Sequence, residues 1–206
     1  MSAPVVHVVD DDEAVRRSLA LMLGSTGHRT ATYAAAEDLI TELDHLAPGC
    51  AIVDIRMPGM DGLALLQHLT ATGHTIPVII VTGHADVALA VRAMKAGAVD
   101  FIEKPSTEEA MLRAVDAALA RAADARQSRA AIDAATNRIA ALTPRERDVL
   151  ARLVNGSPNK VIAHELGISP RTVEIHRANV MEKLAARSLA DVVRLALTAG
   201  IQGAAG

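Results

Sequence analysis

Along residues 1–121, short apolar runs alternate with apolar residues at helical spacing. Val5–Val9 is an apolar run around His7 that ends in acids. Residues 13–24 carry Val15, Leu19, Met22 and Leu23 at helix spacing, with Gly24 as the expected stop. Arg29–Tyr33 is a short second strand. Residues 36–45 are predicted helical and, with Leu46, put Leu39, Ile40 and Leu43 on one face. Residues 50–53 form a third strand ending at Asp54. Helix is predicted over 63–69, strand over 77–81, helix over 86–96 with a stop at Gly97, and strand over 98–102. A last helix spans 106–121, with Ser106 as N-cap and Glu109 three residues on, a capping-box spacing. Five strands alternating with five helices predict a parallel sheet covered on both faces. Residues 78–81 are wholly apolar, as a strand buried on both sides requires. In a doubly wound sheet of this kind, ligands sit at the carboxyl ends of the strands, near the switch point.

The pattern changes after residue 121. Residues 122–141 are Ala-rich with scattered charge, lack Pro and Gly, and have strong helix propensity. They read as a helical, partly exposed linker. Residues 142–206 show no strand signal. Thr143, Pro144 and Glu146 mark a helix start with cap, first-position Pro and third-position Glu. Leu150, Leu153 and Val154 follow, and Gly156 stops this helix. Asn159–Leu166 is a short helix ended by Gly167. Ser169 and Pro170 open another, running to about Leu184. Ser188 with Asp191 caps a fourth. Two short helices joined at Gly167 form a helix-turn-helix pattern, with the second as the reading helix. The expected layout is therefore an α/β domain over 1–121, a helical linker over 122–141 and a small all-α, four-helix domain over 142–206.

Composition refines this picture. The 206 residues are half hydrophobic and 22% charged, which suits an ordinary globular chain. Tyr33 and Phe101 are the only aromatic residues, so Val, Ile, Leu, Ala and Met must build the cores. The lone Cys50 excludes an internal disulfide and suits a reducing cytoplasm. The first residues do not resemble a signal peptide, and no apolar run approaches about 18 residues, so no membrane partner is expected. Net charge is −8 over residues 1–120, +2 over 121–142 and +3 over 143–206. An acidic front and a basic back suggest metal or phosphate chemistry in front and a polyanion partner behind.

The strand ends collect a specific set of groups. Asp10 and Asp11 follow the first strand, Asp54 the third, Thr82 the fourth, and Lys104 with Pro105 the fifth. Crowded carboxylates repel one another, and a bound Mg²⁺ relieves that with hard oxygen ligands. A Lys and a hydroxyl would complete a cradle for a phosphoryl group, whose transfer needs chiefly positioning and charge stabilisation. Asp12 reads as a first-turn helix residue. His7, His28, His45, His68, His74 and His84 lack ligand spacing and read as surface or loop residues.

The motifs VVDDDE, VDIRMPGMDG, VTGHAD and DFIEKP resemble those of a response-regulator receiver over residues 4–121, which has a flavodoxin-like fold. LTPRERDVL followed by NKVIAHELGISPRTVEIHRANVMEKL resembles a LuxR-type helix-turn-helix. Together, in this order, they resemble the FixJ subfamily. The resemblance implies that Asp54 is the phosphoacceptor. It implies that Asp10, Asp11, Asp54 and the carbonyl of Arg56 hold Mg²⁺, and that Thr82 and Lys104 read the phosphate. Phe101 would be the switch aromatic, although a solitary Phe in a strand also serves as plain core. The Lys104–Pro105 peptide would be cis. The implied partners are a sensor histidine kinase, double-stranded promoter DNA, RNA polymerase and, once phosphorylated, a second copy of the chain. The implied role is a cytoplasmic regulator with at most slow self-dephosphorylation, not a dedicated enzyme.

Two other readings use the same residues. Asp10 and Asp12 after an apolar strand resemble the DxD start of haloacid-dehalogenase-type phosphatases, but Ala14 departs from that pattern and Asp54 is left without a role. The helical tail could instead bind protein. Against this stands the 170–184 helix, where Val173, Val180 and Leu184 face a core while Arg171, Glu174, Ile175 and Ala178 share another face suited to the major groove. Arg171 suits guanine and Glu174 a cytosine amino group. Lys160, Thr172 and Arg177 suit phosphate contacts, which position rather than specify. His176 matches a family position that packs between helices. A dimerisation face is expected over residues 86–94, 98–102 and 106–121, with the unphosphorylated front domain restraining the back one.

Overall fold

The computed structural model describes residues 3–83 and 87–201. The first unit, residues 1–125, holds strands β1 (Val5–Val9), β2 (Arg29–Tyr33), β3 (Gly49–Asp54), β4 (Val78–Thr82) and β5 (Asp100–Glu103). Its helices are α1 (Glu13–Ser25), α2 (Ala36–Thr41), α3 (Gly62–Ala71), α4 (Val87–Lys95) and the start of α5 (Glu108–Ala140). The strands form one parallel sheet in the order β2-β1-β3-β4-β5. Strand order reverses direction between β1 and β3, which makes their carboxyl ends the switch point.

Successive strand residues point to opposite faces, and the core divides accordingly. Ile79 and Val81 pack with Val6, Val8 and Ile52 beneath Leu23 of α1 and Met111 and Val115 of α5. Ile80 packs on the other face with Val9, Val53, Leu39 of α2, Leu65 and Leu69 of α3, and Ala93 of α4. Phe101 is half-buried against this second cluster. Cys50 is fully buried in the first, where burial pushes its thiol up to about 12.

Several local expectations are corrected. Helix α1 runs through Gly24, because Leu23 is buried and the chain turns only at Thr26 and Gly27, whose φ is +86°. The 36–45 segment is helical only to Thr41 and continues as a 3-10 turn, Leu43–His45. Helix α5 begins one residue later than a Ser106 cap would give: the Thr107 hydroxyl accepts from Ala110 N–H at 3.2 Å. Strand β5 starts at Asp100 rather than residue 98. Residues 84–86 of the VTGHAD motif, including His84 and the expected helix start at Asp86, lie outside the described residues. His7 is not at the surface: it is 1% exposed. Its Nε2 faces the Ala47 carbonyl at 2.9 Å, which can only accept, so Nε2 carries the proton. The Tyr33 hydroxyl then donates to Nδ1 at 3.1 Å. Burial holds the imidazole below its ordinary value, and the Ala47 contact works the other way.

The second unit, residues 126–206, is all helical in its described part: the end of α5, then α6 (Pro144–Val154), α7 (Asn159–Leu166), α8 (Pro170–Lys183) and α9 (Leu189–Thr198). The division falls inside the segment expected as linker. Residues 123–134 of α5 are exposed, whereas Ala135 and Ile139 are buried. Ile139 and Leu142 pack with Leu150, Val180, Leu184 and Val192, so the last turns of α5 belong to this core. Gly167 lies in the left-handed region, φ +63°, and makes the turn between α7 and α8. Thr143 and Glu146 form the capping box, as do Ser188 and Asp191. Among the described residues, no helix is long and apolar enough to cross a membrane.

Glu146 also holds α8. Its carboxylate is 3% exposed and accepts from Lys183 at 2.7 Å and from Thr143 N–H at 2.8 Å. The Lys183 ammonium chiefly, with the Thr143 amide, holds this carboxyl down at about 2 against an ordinary 4.5. A depressed folded-state value stabilises the fold above pH 4.5, and that contribution is lost as pH falls towards 2. Glu146→Gln should therefore lower the unfolding midpoint of the whole chain at pH 6, and the gap to wild type should close between pH 4.5 and 2. Calorimetry across that range checks this.

Candidate phosphoacceptor site and DNA-reading helix

Asp54 is the last residue of β3, and Asp10 follows β1 on the adjacent strand. They are 7% and 4% exposed. Lys104 follows β5 and brings its ammonium to 2.7 Å from Asp54 Oδ1 and 2.7 Å from Asp10 Oδ2. Burial works against that ammonium, but hydrogen bonds to Asp10 and Asp54 outweigh it and raise its value. The other two carboxylate oxygens are also engaged. Asp12 N–H donates to Asp10 Oδ1 at 3.0 Å, and Arg56 N–H donates to Asp54 Oδ2 at 2.6 Å. Thr82 ends β4, is fully buried, and accepts the Lys104 N–H on its carbonyl at 2.8 Å. The Lys104–Pro105 peptide is cis.

The structure thus brings Asp10, Asp54, Thr82 and Lys104 to one end of the sheet. Asp11 is exposed, and among the described residues no three carboxylate, imidazole or thiol side chains are grouped to hold a metal ion. The expected crowded trio of carboxylates is instead a buried pair bridged by an ammonium. Two carboxylates and one ammonium leave a net negative charge, and carboxylate oxygens are hard donors. That donor chemistry fits Mg²⁺. Asp12 caps α1, accepting from Ala14 N–H at 2.8 Å.

Spacing alone did not disclose three supporting residues. Arg16 reaches back from α1 and donates to the Asp10 carbonyl at 2.6 Å. Gly62, the first residue of α3, lies so close behind Asp54 that a Cβ would stand 2.2 Å from the Asp54 carbonyl oxygen. The Gly in the MDG turn is the only sequence sign of this. Glu37 in α2 accepts from Met60 N–H at 3.1 Å.

On the second unit, Arg171, Glu174, Ile175 and Ala178 are exposed along α8, with Ile175 at 55%. Lys160 is exposed on α7. The Thr172 hydroxyl is 2.8 Å from that of Ser169, and Thr172 N–H donates to the Ser169 hydroxyl as part of the α8 cap. Arg177 is half-buried and donates one N–H to the Asn159 side-chain oxygen at 2.5 Å, tying α8 to α7. His176 is half-buried, and its Nδ1 is buried without a hydrogen-bond partner. Val173 and Val180 are fully buried, so the expected division of α8 into core and outer faces is observed.

Comparison with known proteins places both units. Residues 6–116 match the response regulator receiver domain, and residues 140–196 match the bacterial regulatory proteins of the luxR family. The chain belongs to the response regulators. It is of the FixJ type. It is 51% identical over 196 residues to the transcriptional regulatory protein FixJ of Azorhizobium caulinodans, covering 95% of this chain and 93% of that protein. It is 46% identical over 203 residues to FixJ of Rhizobium meliloti, covering 97% and 98%. Among solved structures, the response regulator StyR is similar with a TM-score of 0.84 at 44% identity, covering 95% of this chain and 99% of that one. Full-length FixJ from B. japonicum is similar with a TM-score of 0.59 at 44% identity, covering 98% and 100%. The phosphatase reading of Asp10 is thereby set aside, and so is a purely protein-binding tail. The chain is a phosphorylation-dependent transcription regulator with a receiver and a LuxR-type DNA-binding domain.

The Gly62 contact has a measurable consequence. Gly62→Ala forces backbone apart behind Asp54 and should cost about 1–3 kcal/mol, the usual range for overpacking. Urea unfolding of the whole chain checks this.

Proposed function

We propose that Asp54 is the phosphoacceptor and that a sensor histidine kinase is its donor. The observation that carries this is the Lys104 ammonium, 2.7 Å from both Asp54 and Asp10 at the switch point of the sheet. An Asp54 carboxylate oxygen attacks phosphorus, a new O–P bond forms, and the P–N bond of the phosphohistidine breaks. Lys104 then pairs with a phosphoryl oxygen, and the Thr82 hydroxyl donates to another. Asp10, Asp11, Asp54 and the Arg56 carbonyl would hold Mg²⁺, which when bound offsets the negative charge around the phosphoryl group. Phe101, half-buried beside β4, follows Thr82 as the switch residue.

The phosphorylated chain dimerises through α4, β5 and the first half of α5. Val87, Val91 and Met94 support this face, because α4 leaves them 82%, 46% and 49% exposed. Asp86, expected on the same face, lies outside the described residues. The dimer doubles the phosphate contacts made by Lys160, Thr172 and Arg177, while Arg171, Glu174, Ile175 and Ala178 face the bases. RNA polymerase is the further partner at the promoter, and the reading places the protein in the cytoplasm.

The test is phosphorylation with acetyl phosphate and Mg²⁺, followed by intact mass, solution size and DNA retention. Wild type should gain one phosphoryl mass, double in size and retain DNA more tightly. Asp54→Asn should do none of these, and a phosphorylated Asp54→Asn chain sinks the assignment. On the DNA side, Arg171→Ala should cost about 1–3 kcal/mol on the preferred duplex and relax its sequence choice. Lys160→Ala should weaken all duplexes alike and reduce the salt slope by about one. Binding titrations over a range of salt separate the two.

A further inference from the structure

The turn that follows Asp54 is held at both ends. At its base, Gly62 N–H donates to the Ile55 carbonyl at 3.0 Å, and Asp61 caps α3 by accepting from Ala64 N–H at 2.7 Å. At its apex, Met60 N–H donates to Glu37 Oε1 at 3.1 Å. Gly59 is next to this contact, with φ +77°, and a Cβ there would stand 3.0 Å from the same carboxylate oxygen. A side chain at position 59 would therefore meet the same Glu37 oxygen that accepts from Met60. Glu37 makes this contact from the first turn of α2.

We infer that Glu37 is a positioning residue for phosphoryl transfer to Asp54, acting by holding the 55–61 turn through Met60 N–H. This rests on the proposed role of Asp54. Arg56 lies in that turn, and its N–H is 2.6 Å from Asp54 Oδ2. A shift of the apex moves the Arg56 peptide, and with it the orientation of the carboxylate that must meet phosphorus in line. Small displacements at a reacting atom carry large rate effects. The ordinary role of an exposed Glu in a first turn is to favour the helix dipole. That role needs a negative charge and no contact. The positioning role needs an acceptor oxygen at this reach and no charge.

Three variants separate these roles. Glu37→Gln keeps the acceptor and loses the charge. Glu37→Asp keeps the charge and shortens the reach. Glu37→Ala loses both. With acetyl phosphate and saturating Mg²⁺, Glu37→Gln should be phosphorylated at the wild-type rate. Glu37→Asp and Glu37→Ala should be slower by about threefold to tenfold, the size of one exposed hydrogen bond. Amide hydrogen exchange at Met60, measured without phosphodonor, should quicken in the Asp and Ala variants and stay unchanged in Gln. The inference is overturned if Glu37→Ala reacts as fast as wild type, or if Glu37→Gln is as slow as Glu37→Ala. Wild type that gains no phosphoryl group on Asp54 overturns the parent assignment instead, and the Asp54→Asn control identifies that case.

Discussion

Asp10 and Asp54 are buried on neighbouring strands, where two carboxylates alone would repel each other in a poorly solvated space. Lys104 removes that conflict by reaching both at 2.7 Å. Much of the first unit serves this arrangement. The parallel register of β1 with β3 sets the two acids side by side. The pairing of β4 with β5 brings the chain after Glu103 back to the same edge, and the Thr82 carbonyl fixes Lys104 through its amide. Removing one partner from such a cluster costs more than its contacts suggest, because a buried charge is left without compensation.

The sheet and its acid site were largely legible because β1, β3 and β4 are short, mostly apolar runs and a chemically distinct residue stands at the end of each. Asp10, Asp54 and Thr82 mark these ends, Lys104 follows β5, and the switch-point rule gathers them. What escaped depends on distance in space rather than along the chain. His7 looks like a polar interruption of an apolar run. Its burial is sustained by Tyr33 and Ala47, 26 and 40 residues away. Arg16 serves Asp10 through a backbone carbonyl, which no side-chain pattern encodes. Gly24 has the right type for a helix stop, but the buried Leu23 keeps the helix going to Ser25. Ser106 and Thr107 are adjacent hydroxyls, and only the backbone decides which one caps α5.

The second unit was legible through its caps. Thr143, Ser169 and Ser188 each accept from the third residue on; spacing with Glu146 and Asp191 indicated the first and last, and Pro170 marked the second. The contribution of α5 was less legible, because Ala135 and Ile139 sit in an Ala-rich stretch whose apolar content looked too sparse to bury. A few small residues suffice there, since α6, α8 and α9 supply the larger side chains. The long-range tie from Glu146 to Lys183 joins α6 to the end of α8. The residue that completes the cap of α6 thereby also holds the last turn of α8.

The near absence of aromatic residues has a consequence for anyone observing this protein by light. The chain has no Trp, one Tyr and one Phe, and both aromatics lie in the first unit. Tyr33 is 9% exposed, and its hydroxyl is hydrogen-bonded to a buried imidazole. Its ultraviolet emission is a native label for the sheet alone. The DNA-binding half is optically dark, so a single tryptophan placed there would report on that half without background.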